Sequence, residues 1–394
     1  MNDARRGQEL LDQATVGIHG ANGRRSEGDP VAPPIVQSAT FFGGGPGDDG
    51  ELLYTRHGNN PNQLQVGAKV AALEGMEAGL PVASGMAAIS LTVLSLARTG
   101  DHVVSSRFLY GATRTLFEQE LPRRGIQVSL VDPDKPRDWR NALRPETRLL
   151  YLELPANPTL RVPDPRPLAS LALEEGLPLV MDSTFASPVN FRAGENGVDV
   201  VIHSATKYLG GHSDLVAGVV CGSSDMIREI RGLLKLYGPA LDPHAAWLLD
   251  RGLRTLPLRM EGHNRNGLEL ATWFRDQSEV EQVIYPGLPD HPDHQVAATV
   301  LKGFGGMLGV VLKGGAAAAE AFVGGLRVAS LAPSLGGVET LVSLPRLTSH
   351  RGISAAQRAD QGIPDGFIRI SVGLEGVQDL KDDFRLALDR AASG

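Results

Sequence analysis

The chain of 394 residues is 42% hydrophobic and carries a formal charge of −7, a length that predicts about two domains rather than one core. Its acidic balance and interspersed charges exclude the basic footprint of a nucleic-acid binder. Cys221 is the single cysteine, which excludes an intramolecular disulfide and a cysteine-based metal cluster and is compatible with a reducing compartment.

The N-terminal ten residues have no apolar core of signal-peptide length, and no later stretch approaches the length needed to span a bilayer. The expectation is a soluble cytoplasmic protein with no membrane partner. Residues 1–60 are rich in glycine, proline and polar residues, with a glycine-acid loop over 43–50. Such a segment builds little core and predicts an arm packed on something else. From 61 to 255 the pattern becomes βα units. Helices are predicted over 64–74, 113–123 and 164–175, and after Pro243. Strands are predicted at 102–105, 128–131, 149–154, 177–181, 198–202 and 215–221. Short apolar strands alternating with amphipathic helices argue for an α/β fold with a mostly parallel sheet covered on both faces. Beyond 255 the pattern loosens into a smaller α+β domain over 256–394. Its helices fall at 264–275, 316–326 and 380–391, and its strands at 307–312, 338–344 and 367–372.

Ligands of open parallel sheets bind outside the carboxyl ends of the strands, and several chemistry-bearing residues fall at such ends. Lys207 follows an apolar run ending in Ile202, with hydroxyls at Ser204 and Thr206. A lysine so delivered suits a Schiff base to an aldehyde cofactor, with the hydroxyls holding a phosphate. The alternative is an ordinary surface lysine. Ser84, Gly85 and Met86 follow a strand and open a helix, where free N–H groups can meet a phosphate; alone they read as a turn. Asp182 ends the run 177–181 and can pair with a pyridinium nitrogen or cap a helix. His291 and His294 lack a third and fourth ligand and read as loop residues. His203 and His212, flanking the lysine, read as structural hydrogen-bond partners.

The chain resembles the Cys/Met-metabolism family of pyridoxal-phosphate enzymes: cystathionine γ-synthases, cystathionine γ- and β-lyases, methionine γ-lyases and homoserine-ester sulfhydrylases. The segment 199–213 matches the family's lysine signature throughout. Further matches are 33–41, Tyr54-Thr-Arg56, Ser84-Gly-Met86, Tyr110-Gly111, Ala156-Asn-Pro-Thr159, His212-Ser-Asp214, Ser334-Leu-Gly-Gly337 and 368–375. The resemblance implies a fold-type I PLP-dependent transferase-like architecture with pyridoxal 5'-phosphate as cofactor. It makes Lys207 the Schiff-base lysine and proton carrier, Asp182 the pyridine-nitrogen partner, and Tyr110 the stacking ring that assists proton transfer. Ser84, Gly85, Met86, Ser204 and Thr206 form the implied phosphate cradle, and Asn157 lies near the cofactor's phenolic oxygen. Arg369 is the implied clamp on the substrate α-carboxylate, where its planar fork makes two hydrogen bonds. Ser334, Asn157 and Tyr54 complete the implied substrate site. Tyr54 and Arg56 resemble the pair that reaches the phosphate from a neighbouring subunit, which implies a homotetramer built as a dimer of active dimers.

The implied activity is a transsulfuration-type C–S lyase acting on cystathionine or a related sulfur amino acid by γ- or β-elimination. The alternative is γ-replacement on an activated homoserine ester. Ala112 stands where methionine γ-lyases resemble one another in having cysteine, which weighs against that activity. Pro333 stands where many cystathionine enzymes have a glutamate suited to the distal ammonium, although plant-type γ-synthases resemble this chain there. Ser183 and His57 also depart from the usual asparagine and tyrosine. Outside this class, an aminotransferase relative is disfavoured by the lysine signature. A non-catalytic relative is disfavoured by the joint presence of Lys207, Asp182, Tyr110 and Arg369.

Overall fold

The computed structural model describes residues 11–21, 26–43, 51–348, 354–360 and 362–393. The ten N-terminal residues, and all but Gly43 of the glycine-acid loop, lie outside that range. Its larger sheet has seven strands: β1 (Ala78–Val82), β2 (His102–Ser106), β3 (Gln127–Val131), β4 (Thr147–Glu153), β5 (Leu179–Asp182), β6 (Val200–His203) and β7 (Gly218–Gly222). They lie in the order β1-β7-β6-β5-β4-β2-β3, parallel except that β7 runs antiparallel to both its neighbours. The run β6-β5-β4 puts the ends of three parallel strands side by side, with Glu153 opposite Asp182 and Asp182 opposite Ile202.

Alternation along the strands feeds two cores. Leu150 and Leu152 join Met181, Val201 and Val219 on one face, while Leu149 and Tyr151 join Val180, Ile202 and Val220 on the other. Both faces are covered, as an apolar parallel sheet requires. The helix Ser224–Tyr237, which the sequence reading passed over, covers one of them with Ile227, Ile230 and Leu234. Its signals were available: Ser223 caps it by accepting from the Met226 N–H, and Gly238 ends it with a positive φ of 81°. The strand expected over 215–221 begins only at Gly218, because Ala217 is tied to Thr206 instead of to a neighbouring strand.

The second sheet contains β8 (Val280–Ile284), β9 (Met307–Leu312), β10 (Ser330–Leu331), β11 (Leu341–Ser343) and β12 (Phe367–Ser371), ordered β10-β11-β12-β9-β8. The expected strand over 338–344 shortens to β11. A third core packs beneath this sheet around Phe274, Phe322 and Phe384. The helix Leu256–Arg275 serves both bodies: Leu256 and Met260 belong to the large core, Leu270 and Phe274 to the small one. The first helix, Gln13–His19, docks on its own chain, burying Val16 and donating from Gln13 to the Pro188 carbonyl at 2.6 Å. No helix among the described residues is long and apolar enough to cross a membrane.

Candidate active site

The ends of β4, β5 and β6 open into a cavity of about 540 Å³ that β12 closes from the other sheet. Its lining includes Ser84, Gly85, Met86, Tyr110, Asn157, Asp182, Ser204, Thr206, Lys207, Ser334 and Arg369. Eleven residues expected from positions spread over most of the chain therefore meet in one place. Tyr54 and Arg56 do not join them. Arg56 is exposed, donates to the Lys235 carbonyl and sits with its guanidinium carbon 5.3 Å from the Tyr54 ring centroid.

Lys207 leaves β6 through a tight turn in which its N–H donates to the Ser204 carbonyl. Its Nζ reaches the Ser334 hydroxyl at 2.8 Å. Burial, then the Arg369 guanidinium, push its ammonium down to about 8, so a useful fraction is the nucleophilic free amine at neutral pH. Arg259 braces the turn from beneath with donors to the Tyr208, Leu209 and Gly252 carbonyls.

Asp182 caps no helix. Its Oδ1 accepts from the Thr184 N–H at 3.0 Å and hydroxyl at 2.6 Å, and the Thr184 oxygen in turn accepts from the Ser204 N–H. Burial raises the Asp182 carboxyl, and the Thr184 bonds pull it back. A cationic ring N–H in the cavity would satisfy this buried carboxylate.

The phosphate-like end is built by close approach. Ser84 caps the helix Gly85–Leu96 by accepting from the Ala87 N–H, leaving the first-turn donors available to an anion. A Cβ on Gly85 would lie 2.7 Å from the Ser204 Cβ, so only glycine lets the helix N-terminus and the lysine strand meet. The Thr206 hydroxyl is engaged with both the N–H and the carbonyl of Ala217, which makes it a brace within this cradle.

Arg369 is no solvent-facing edge residue. It lies on β12, with a neighbour on each side, and is 8% exposed. Its guanidinium donates to Asn157 Oδ1 and to the Ser334 carbonyl, each at 3.1 Å, and its Nε has no partner among the described residues. Burial lowers it to about 10. Such a buried, part-satisfied cation calls for an anionic ligand. Ser334 holds a φ of 90°, uncommon for a side chain and typical of backbone held in place by a site.

The sequence reading passed over several cavity residues, among them Thr184, Phe185 and the carboxyl of Glu153 at the end of β4. The flanking histidines have structural contacts: His203 with Glu74 at 2.6 Å and His212 with the Gly210 carbonyl. His291 Nδ1 accepts from the Asp293 N–H, and His294 contacts the Pro286 carbonyl.

A strand-end lysine, a buried carboxylate, a glycine-lined anion cradle and a buried arginine are the donor set that a pyridoxal phosphate with an amino acid attached requires. Comparison with known proteins agrees. The chain is 39% identical to an L-methionine γ-lyase of Porphyromonas gingivalis, over 95% of this chain and 96% of that one. It is 40% identical to an O-succinylhomoserine sulfhydrylase of Pseudomonas aeruginosa, over 89% and 86%. A crystal structure of cystathionine γ-lyase from Lactobacillus plantarum complexed with L-serine superposes with a TM-score of 0.92 at 36% identity, covering 97% of this chain and all of that one. The model of the Cys/Met metabolism PLP-dependent enzymes matches residues 14–389, and with this site the chain belongs to that family and depends on pyridoxal phosphate.

Proposed function

We propose that this enzyme is a carbon–sulfur lyase that eliminates the thiol from cystathionine or a related thioether amino acid. What carries the reading is Lys207, a part-desolvated amine that shares one cavity with the buried Asp182 and Arg369. Bound pyridoxal phosphate supplies the electron sink that stabilises negative charge at the substrate Cα. Asp182 would accept a hydrogen bond from its ring nitrogen. Ser84, Gly85, Met86 and Ser204 would hold its phosphate, with Thr206 bracing them. Tyr110 would cover its ring and offer a hydroxyl for proton transfer. Arg369 grips the substrate carboxylate, aided by Asn157 and Ser334, and fixes which Cα bond faces the lysine. Lys207, once free, takes the Cα proton and returns it further along the chain as acid. Exposed Val216 and Pro333 at the cavity give an apolar approach suited to a thioether.

A second reading, γ-replacement on an activated homoserine ester, is favoured by the 40% identity to the sulfhydrylase. A product assay separates them. Cysteine with 2-oxobutyrate from cystathionine supports γ-elimination; homocysteine with pyruvate supports β-elimination. Turnover only when ester and thiol are both supplied overturns the lyase reading.

The same proposal makes the enzyme a cytoplasmic homotetramer of two active dimers, in which Tyr54 and Arg56 act in the neighbour's site. Its support is their position outside the cavity of their own chain. Mixing Lys207→Ala with Arg56→Ala subunits should restore activity that neither has alone, whereas no recovery in verified mixed oligomers refutes the shared site.

A further inference from the structure

The cavity contains a second buried carboxyl that none of the assigned tasks uses. Glu153 ends β4, is 5% exposed and stands opposite Asp182 on the adjacent strand. Its two oxygens are spent on backbone. Oε2 accepts from the Tyr110 N–H at 2.7 Å, and Oε1 accepts from the Asn157 N–H at 2.7 Å. Those N–H donors lie in different loops, one following β2 and one following β4. Asn157 then passes the contact on, since its Oδ1 accepts from Arg369. We infer that Glu153 is a positioning residue that holds the Tyr110 ring and the Asn157–Arg369 pair in register across the cavity.

The chemistry suits the task. A backbone N–H needs an acceptor when buried, and one carboxyl offers two diverging acceptors from a single side chain. The strand fixes that side chain, whereas Tyr110 precedes the short helix Gly111–Thr115 and caps it with no side-chain bond. Burial, with Asp182 beside it, raises the Glu153 carboxyl well above the usual range. The two backbone N–H bonds oppose that rise, because they favour the carboxyl's ionised form, so the contacts to Tyr110 and Asn157 stabilise a group that burial and Asp182 disfavour.

This inference rests on the proposed roles of Tyr110 and Arg369 and is tested apart from turnover. Norleucine, an amino acid without a leaving group, is titrated into the wild-type holoenzyme and followed by the cofactor absorption band. Exchange of its Cα proton for deuterium is followed by NMR. A wild-type enzyme that neither binds norleucine nor exchanges its proton refutes the functional reading itself. If it does both, Glu153→Gln, which keeps one acceptor, should retain the yellow cofactor but weaken norleucine about tenfold and slow exchange about tenfold. Glu153→Met, which keeps neither, should do more on both counts. Both quantities within twofold of wild type overturn the inference, even if the thermal midpoint falls, because that is what a purely structural residue would give. Hydrogen exchange of the wild-type protein is independent of how the variants fold. The Tyr110 and Asn157 amides should be protected in apoenzyme and holoenzyme alike, and exchange at free-loop rates overturns the assignment.

Discussion

Burial moves the Lys207 ammonium from 10.5 to about 8. At about 1.4 kcal/mol per tenfold, the fold disfavours that charge by about 3 kcal/mol. The first consequence is kinetic. At pH 7 about a tenth of the amine is neutral, against roughly three parts in ten thousand for an unperturbed lysine, so capture of the cofactor aldehyde should be faster by up to about 300-fold, less the nucleophilicity that a weaker base gives up. Adding pyridoxal phosphate to apoenzyme between pH 6 and 10 and following the yellow band by stopped flow gives the profile. The rate should rise about tenfold per pH unit to about pH 8 and then level off. The second consequence is thermodynamic. The unfolded chain binds the Lys207 proton more tightly than the fold does. Apoenzyme stability from this group therefore rises with pH between about 8 and 10.5, and the full penalty is present below 8. Lys207→Met removes the penalty and also a hydrogen bond to Ser334 worth about 1 kcal/mol, for a net gain of about 2 kcal/mol at pH 7. Urea unfolding of the two apoproteins measures it. A capture rate still climbing through pH 9.5, together with an unchanged or reduced stability of Lys207→Met, would refute the claim that the lysine is held part-desolvated.

Arg369→Ala should raise KM at least tenfold with the yellow cofactor retained, since charge-assisted bonds to a carboxylate contribute about 1.5–3 kcal/mol; loss of the cofactor instead contradicts the assignment to substrate. Gly85→Ala forces a Cβ to within 2.7 Å of the Ser204 Cβ and should weaken cofactor binding at least tenfold in equilibrium dialysis. Adding Ser204→Gly should recover part of that loss, and no recovery means the clash is not the cause. Asp250→Ala removes the carboxylate partner of the buried Lys69 and should cost about 3–5 kcal/mol in urea unfolding. A change below about 1 kcal/mol refutes a structural role for that pair.

The architecture was legible where periodicity and packing agree. The run β4-β5-β6 is apolar on both faces and bounded by turns, so its strands were found to within a few residues. The missed helix Ser224–Tyr237 had its cap, its stop and its apolar stripe in plain sequence. A boundary between the two sheets' cores is hard to read in the sequence for a physical reason. The helix Leu256–Arg275 contributes one half to each core, so its hydrophobic pattern runs on without marking a change of body. Within the N-terminal segment Val16 is buried against the large core of its own chain, and only the groove it fills explains its position.

The site was legible to the extent that side chains do its work. Lys207, Asp182 and Arg369 carry charges in apolar strands or at their ends, and such residues stand out. Thr206 stood out as well, as a hydroxyl beside a lysine, yet it is tied to Ala217 in the strand connection. Residue type and spacing tell which atoms are available to a site, but not whether the fold has already engaged them. Glu153 is the converse case. It acts on backbone N–H groups, which every residue but proline carries, so its partners leave no mark in the sequence. The signal was a lone carboxyl closing the apolar stretch 149–152 of β4, two residues before Pro155 and four before Asn157. A buried charge in a strand needs a partner, and when no opposite charge lies nearby the partner must be backbone or a proton.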